Sequence, residues 1–262
     1  MNSLGTCALL LFSLGLSAAA LAQPGNRRSR NVGWGEVHRF EFEYRRWRPE
    51  LGSDLEVGGG PIYPGSDLGL GEERQSEYRG FLRFSPAFKL RASYLPPLQY
   101  EGETAIARPL EFAGQTYPAQ ATLTTTMELE HTKGGIEVDF FRSRDGYLGV
   151  IGEYSRFQAS PVLSSPSSGR ASRALRVALP TVGLVGRVYL TPRLSLTAEA
   201  SGMKWVGRGG VITDLEGVAT IHASPRLGLS GGYRNLYARV ADNGDRGAFR
   251  LKGWFFSVAV RI

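Results

Sequence analysis

The chain has 262 residues, a net charge of +7 and 42% hydrophobic residues, with 34 Gly, 4 Trp, 11 Tyr and 13 Phe. Past residue 22 no apolar run reaches the ~20 residues that a helix needs to cross a bilayer. That excludes a helical membrane protein beyond the first segment. It leaves a large soluble β domain or a transmembrane β-barrel, whose strands need only one apolar residue in two.

Residues 1–22 carry no Lys, Arg, Asp or Glu and end in Ala20-Leu21-Ala22. An apolar core before a small-x-small site is expected to be a secretory signal peptide. The only cysteine, Cys7, falls inside it, so the processed chain has no thiol chemistry and no disulfide. Residues 23–36 are basic and Gly-rich, the composition of a flexible lead-in. Residues 37–262 are expected to form a barrel domain.

From residue 37 the side chains alternate. Phe40, Phe42 and Tyr44 oppose Arg39, Glu41, Glu43 and Arg45. Tyr78, Gly80, Leu82 and Phe84 oppose Arg79 and Arg83. Phe88, Leu90, Ala92 and Tyr94 oppose Lys89, Arg91 and Ser93. Successive strand residues face opposite ways, so each segment has one apolar and one charged face. In 121–142, Leu123, Met127 and Leu129 alternate with Thr126, Glu128 and Glu130. After Lys133 the parity reverses to apolar Ile136, Val138 and Phe140 against Glu137 and Asp139. Gly134-Gly135 is either a turn or a bulge. An even strand number favours the bulge, within one long strand. Strands are also expected over 147–158, 174–190 (changing parity at Pro180), 194–204, 211–222 and 227–240.

The closing segment is the clearest. Trp254, Phe256, Val258, Val260 and Ile262 alternate with Gly253, Phe255, Ser257, Ala259 and Arg261. The connections alternate too. Turns at Ser85-Pro86, Arg144-Asp145-Gly146, Thr191-Pro192-Arg193 and Ser224-Pro225 are short. Connections at 48–77, 96–118, 159–172, 207–210 and 241–247 are mostly longer. Short periplasmic turns and long external loops are the rule for outer-membrane barrels. The expected fold is all-β, an antiparallel transmembrane barrel of about ten strands, within a range of 8–12.

The polar face is expected to fill the bore with mixed charge: Arg39, Glu41, Glu43, Arg45, Arg79, Arg83, Lys89, Arg91, Glu128, Glu130, Glu137, Asp139, Glu153, Glu199, Asp214, Glu216 and Arg261. Small barrels are filled by their own side chains, and an unpaired buried charge is costly. The charges are therefore expected to pair. His38, His131 and His222 form no recognisable triad, and no Gly-x-Ser-x-Gly motif occurs. His38 and His131 are read on apolar faces and His222 on a polar one. No metal-ligand spacing occurs, and neither a cofactor nor an enzymatic activity is expected. Arg46 and Arg48 stand at the outer end of the first strand, where guanidinium forks match lipid phosphate.

Several segments together resemble bacterial outer-membrane β-barrel proteins, in particular small barrels of uncharacterised role. They are the signal segment, Asp67-Leu68-Gly69-Leu70, Arg91-Ala92-Ser93-Tyr94, Gly102-Glu103-Thr104, Phe112-Ala113-Gly114 with Tyr117, Gly232-Tyr233-Arg234 and the strand from Gly253 to Ile262. The resemblance covers most of the processed chain. Such barrels usually end in Phe or Trp; this one ends in Ile262, with Phe256 further in. The resemblance implies a Gram-negative outer membrane, contact with its lipid and lipopolysaccharide, and handling by the barrel insertion machinery. Export argues against nucleic acid. The expected role is structural or surface-binding. A narrow porin-like channel is the alternative, and a lipid-modifying enzyme using His131 stands third.

Overall fold

Proline and glycine punctuate this chain, and between them the strands run long. The computed structural model describes residues 34–36, 38–57, 60–62, 73–204, 210–242 and 245–262. The expected signal peptide and the lead-in up to residue 33 lie outside the described residues. A 3-10 turn, η1 (Trp34–Glu36), precedes the strands. They are β1 (Phe40–Trp47), β2 (Glu50–Val57), β3 (Gly60–Ile62), β4 (Gln75–Ser85), β5 (Phe88–Ala105), β6 (Leu110–Phe112), β7 (Gln115–Tyr117) and β8 (Thr122–Ser143). There follow β9 (Gly146–Ser165), β10 (Gly169–Ser172), β11 (Leu175–Thr191), β12 (Leu194–Lys204), β13 (Val211–Ser224), β14 (Leu227–Asp242) and β15 (Asp245–Arg261).

Ten of them, β1, β4, β5, β8, β9, β11, β12, β13, β14 and β15, form a closed antiparallel barrel in chain order. Pairing of β1 with β15, Glu41 opposite Arg261 through Trp47 opposite Phe255, makes the closure. β2 carries β1 onward along β15 in the same register, Glu50 opposite Lys252. The interruption falls at Arg48-Pro49, where proline has no N–H to give. β3 extends β2, β10 lies on β9, and β6–β7 form a separate hairpin. Four connections (β4–β5, β8–β9, β11–β12 and β13–β14) are tight two-residue turns at one end of the barrel, the end that also holds the start of β1 and the close of β15.

The closing strand has the orientation its alternation predicts. Trp254 is 69% exposed and Phe256 73%, while Phe255 is 1% and Arg261 2%. From Trp254 to Ile262 the strand rises roughly 27 Å at ~3.4 Å per residue, or about 21 Å along the axis at a tilt of ~40°. That suits an apolar band of ~25 Å. Tyrosines rim its loop-end edge. Tyr44 pairs across to Tyr78, and Tyr78 to Tyr94. Tyr233 meets Trp254 edge-on at 5.2 Å. Amphipathic rings of this kind belong at a bilayer interface.

Two sequence expectations need correction. Gly134-Gly135 is not a bulge. β8 runs as one strand and keeps its register against β9 from Thr124 to Asp139, where the shift occurs instead. Gly135 faces inward, and a Cβ there would meet the Gly152 carbonyl and stand 2.7 Å from Glu153 Cγ; the pair supplies clearance. Parity does not change at Pro180 either, since β11 pairs with β9 without a shift. What reverses is the surroundings. Below the tyrosine rim, hydrocarbon lies outside and charge inside. Above it the outward residues are polar, Glu128 and Arg156 being exposed, while Leu123, Met127, Leu129, Leu175, Val177 and Leu179 turn inward and are buried. The same reversal explains why segments read as loops carry ladder. β5 continues through Pro96-Pro97, with a register shift between Leu95 and Leu98, and β9 continues to Ser165.

Candidate functional site

Alternation turns every second residue of ten strands into a narrow bore, and in the membrane-spanning part many of those residues are charged. The acids are Glu41 and Glu43 (β1), Glu77 (β4), Glu137 and Asp139 (β8), Glu153 (β9), Glu199 (β12), and Asp214 and Glu216 (β13). The bases are Arg45 (β1), Arg79 and Arg83 (β4), Lys89 and Arg91 (β5), Lys133 and Arg142 (β8), Arg187 (β11), Arg234 (β14) and Arg261 (β15). With Glu36 from η1, each of these residues lies in at least one ion pair.

The contacts are close and shared. Arg91 reaches Glu137 at 3.0 Å, Glu153 at 2.8 Å and Glu199 at 2.6 Å. Arg45 donates to both Glu216 oxygens, at 2.6 and 2.7 Å, and to Glu43 at 2.8 Å. Arg234 forks onto Asp214 at 2.8 and 2.7 Å and reaches Glu77 at 2.9 Å. Lys133 adds a contact to Asp214 at 3.0 Å. Lys89 donates to Glu137, and its ammonium sits 3.8 Å from the Tyr147 ring centre. Bidentate, charge-assisted pairing of this kind satisfies groups that are costly to bury alone. Among these side chains a cavity of about 50 Å³ remains. At ~10–15 Å³ per water centre it holds a few waters.

An apolar layer lies over the ionic one. Trp47 and Phe255 form its floor, the Arg234 guanidinium being 5.1 Å from the Trp47 ring and that of Arg45 4.1 Å from the Phe255 ring. Leu95, Leu129, Phe157, Leu179, Ile212, Leu236 and Phe249 fill the level above. The β6–β7 hairpin folds onto this layer with Phe112 and Tyr117 fully buried, and the Tyr117 hydroxyl donates to the Leu163 carbonyl at 3.1 Å.

The other mouth is closed by η1. Residues 34–36, expected to be flexible, dock instead because Glu36 finds cations there. Its carboxylate accepts from Arg83 at 2.6 Å, Arg187 at 3.2 Å, Arg142 at 3.5 Å and the Tyr189 hydroxyl at 3.2 Å. Burial pushes the Glu36 carboxyl up, but Arg187, Arg83 and Lys89 outweigh it and hold the pKa near 2.

Among the described residues, two Ser–His contacts occur in the bore. Ser195 Oγ lies 2.9 Å from His222 Nε2, and Arg261 Nη1 lies 3.1 Å from His222 Nδ1. Guanidinium only donates, so Nδ1 accepts and Nε2 carries the proton toward Ser195. That tautomer cannot take a proton from the hydroxyl. His131 Nε2 lies 2.8 Å from Ser155 Oγ, with both side chains at 0% exposure. Both serines are fully buried. His131 stands on the apolar face of Leu123, Met127 and Leu129, as the sequence indicates, but that face turns to the bore.

Of the expected lumen set, Glu41, Glu43, Arg45, Arg79, Arg83, Lys89, Arg91, Glu137, Asp139, Glu153, Glu199, Asp214, Glu216 and Arg261 come together in this network. Arg39, Glu128 and Glu130 do not. Arg39 is exposed before β1, at the rim. Glu128 and Glu130 point outward above the tyrosine rim, Glu128 exposed and Glu130 half-buried, where the outside is water. Glu36, Glu77, Lys133, Arg142, Arg187 and Arg234 were missed. Parity with Arg79 marks Glu77, and parity with Glu137 marks Lys133. Nothing in the sequence marks Glu36. Arg46 and Arg48 are exposed on the outer wall just beyond Tyr44, Arg46 donating to Ser76 Oγ at 3.0 Å.

No family model and no curated protein matches the sequence. Solved structures do match in shape. The outer membrane protease OmpT from Escherichia coli has 9% identity and a TM-score of 0.52, covering 86% of this chain and 97% of that one. Ail, the attachment invasion locus protein of Yersinia pestis, has 10% identity and a TM-score of 0.40, covering 86% and 99%. Neisserial surface protein A has 10% identity and a TM-score of 0.33, covering 85% and 97%. At these identities the likeness concerns the fold, which is that of bacterial outer-membrane β-barrels.

Proposed function

We propose that this chain, an outer-membrane-type β-barrel, has a structural or surface-binding role carried by its loop end, without catalysis and without solute conduction. One observation carries the reading. The bore is filled along its length by the Glu36 contacts, the ionic network and the apolar layer in turn. A narrow channel needs a continuous wet path, and an enzyme needs a nucleophile or base within reach of substrate. The test is planar-bilayer recording of the purified full chain. Silence is expected; stable unitary steps would establish a channel and overturn the reading.

The proposed surroundings are outer-membrane lipid and lipopolysaccharide, reached through export and the barrel insertion machinery. Arg46 and Arg48, exposed beside the tyrosine rim, are proposed to meet anionic headgroup phosphates, whose geometry suits guanidinium forks. Replacing both with Gln is expected to reduce lipid A co-purification. Unchanged lipid A would remove that contact from the proposal.

A further inference from the structure

Glu36 is the only acid in ion-pair contact with Arg83 and Arg187 among the described residues. Arg142 pairs with both Glu36 and Asp139. Without Glu36, three guanidiniums would converge on a cradle with one carboxylate between them. The fit of the occupant is tight. A Cβ on Gly35 would meet the Tyr189 hydroxyl, and would stand 2.8 Å from His222 Cε1. The fit is also incomplete. Arg83 Nε and His38 Nδ1 are buried with no hydrogen-bond partner. A carboxylate has two oxygens, and both are already used, one by Arg83 and Arg142 and the other by Arg187 and Tyr189. A tetrahedral oxyanion brings further acceptor oxygens and more charge to the same donors.

We propose that the Arg83–Arg142–Arg187–Tyr189 cradle at the tight-turn mouth is a binding site for small tetrahedral oxyanions, of which inorganic phosphate is the simplest. Glu36 is its tethered occupant. Phosphate and η1 compete for the same guanidiniums, so phosphate binding releases Trp34–Glu36 from the mouth. Because the ligand approaches from the tight-turn end, the site is independent of whatever the loop end binds.

Phosphate binding to the refolded full chain tests this, read by titration calorimetry at constant ionic strength with chloride as the control. Glu36→Gln removes the competing charge and keeps the shape. Its phosphate affinity is expected to exceed that of the unaltered chain by about tenfold. Adding Arg187→Gln to that variant is expected to abolish the gain. Equal phosphate affinity in all three proteins overturns the proposal. A second measurement needs no variant. In the unaltered chain, phosphate is expected to speed hydrogen exchange across residues 34–36, where chloride does not. Exchange that ignores phosphate overturns the competition.

Discussion

Arg91 is bound by three carboxylates, each within 3.0 Å, so the bore depends on its charge. Arg91→Gln leaves Glu137, Glu153 and Glu199 facing one another in a poorly solvated space. Breaking such a buried pair costs about 3–5 kcal/mol, to be read as a lower midpoint of urea unfolding in lipid. Glu128→Gln, on the wet outer wall, is expected to stay within about 0.5 kcal/mol. Equal losses would mean that Glu128 also lies in the bore. The docked mouth has its own pH dependence. Burial, aided by Arg261 and Arg83 against Glu41 and Glu36, pulls the His38 pKa down to about 4. A free imidazole titrates near ~6.5. His38 therefore supports docking fully above that pH, and the support fades as pH falls from ~6.5 toward 4. Glu36, faced by Arg83, Lys89, Arg142, Arg187 and Tyr189, supports docking above the usual ~4.3 of a carboxyl and loses that support toward about 2. Hydrogen exchange over 34–38, corrected for intrinsic rates, should quicken in two acid steps. Flat protection down to pH 4 would contradict the neutral docked imidazole.

At the scale of the strand, β8 and β15 each carry two environments on one face. Val258 points into hydrocarbon, and Val258→Arg is expected to cost about 2–4 kcal/mol near the midplane. Leu129 points inward in the apolar layer, and Leu129→Ala is expected to cost about 2–5 kcal/mol through the cavity it leaves. Glu130→Ala, its outward neighbour, should cost little. Comparing unfolding midpoints of the three variants checks the placement of both faces. This two-sidedness also decides what the sequence discloses. The closing strand is legible because Trp254 through Ile262 stays within one solvent regime outside and, Phe255 apart, turns small or polar residues inside. The upper half of β8 misleads because Leu123, Met127 and Leu129 look like a lipid face while facing the core. Glu128 and Glu130 are then read as lumen charges. Arg234 follows from its register opposite Glu216 once the pairing is known, and not before. Glu36 belongs to no strand, so no periodicity points to it.

For the molecule as a whole, the filling of the bore is layered: the Glu36 contacts, the ionic network and the apolar layer lie one above another. Deleting the β6–β7 hairpin removes Phe112 and Tyr117 from the apolar layer. The deletion is expected to lower the unfolding midpoint, yet bilayer recordings should stay silent because the ionic layer below is intact. Conductance in that variant would mean that the charges alone do not seal the barrel. The legible part at this scale is the alternation of tight turns with longer connections, which is read directly from Pro, Gly and Asp. The extent of ladder above the membrane is not legible, because Pro96-Pro97 and the serines near 160 disguise paired strands.

The reversal of polarity on the outer wall also fixes how deep the protein sits. If the barrel sank, Glu128, Arg156 and Arg250 would enter oil. If it rose, Trp254, Phe256 and Val258 would meet water. Either displacement is opposed all round the circumference, so the cylinder behaves like a float with a marked Plimsoll line. A membrane of unsuitable thickness would have to stretch or thin to meet that line, since the protein has little freedom to shift.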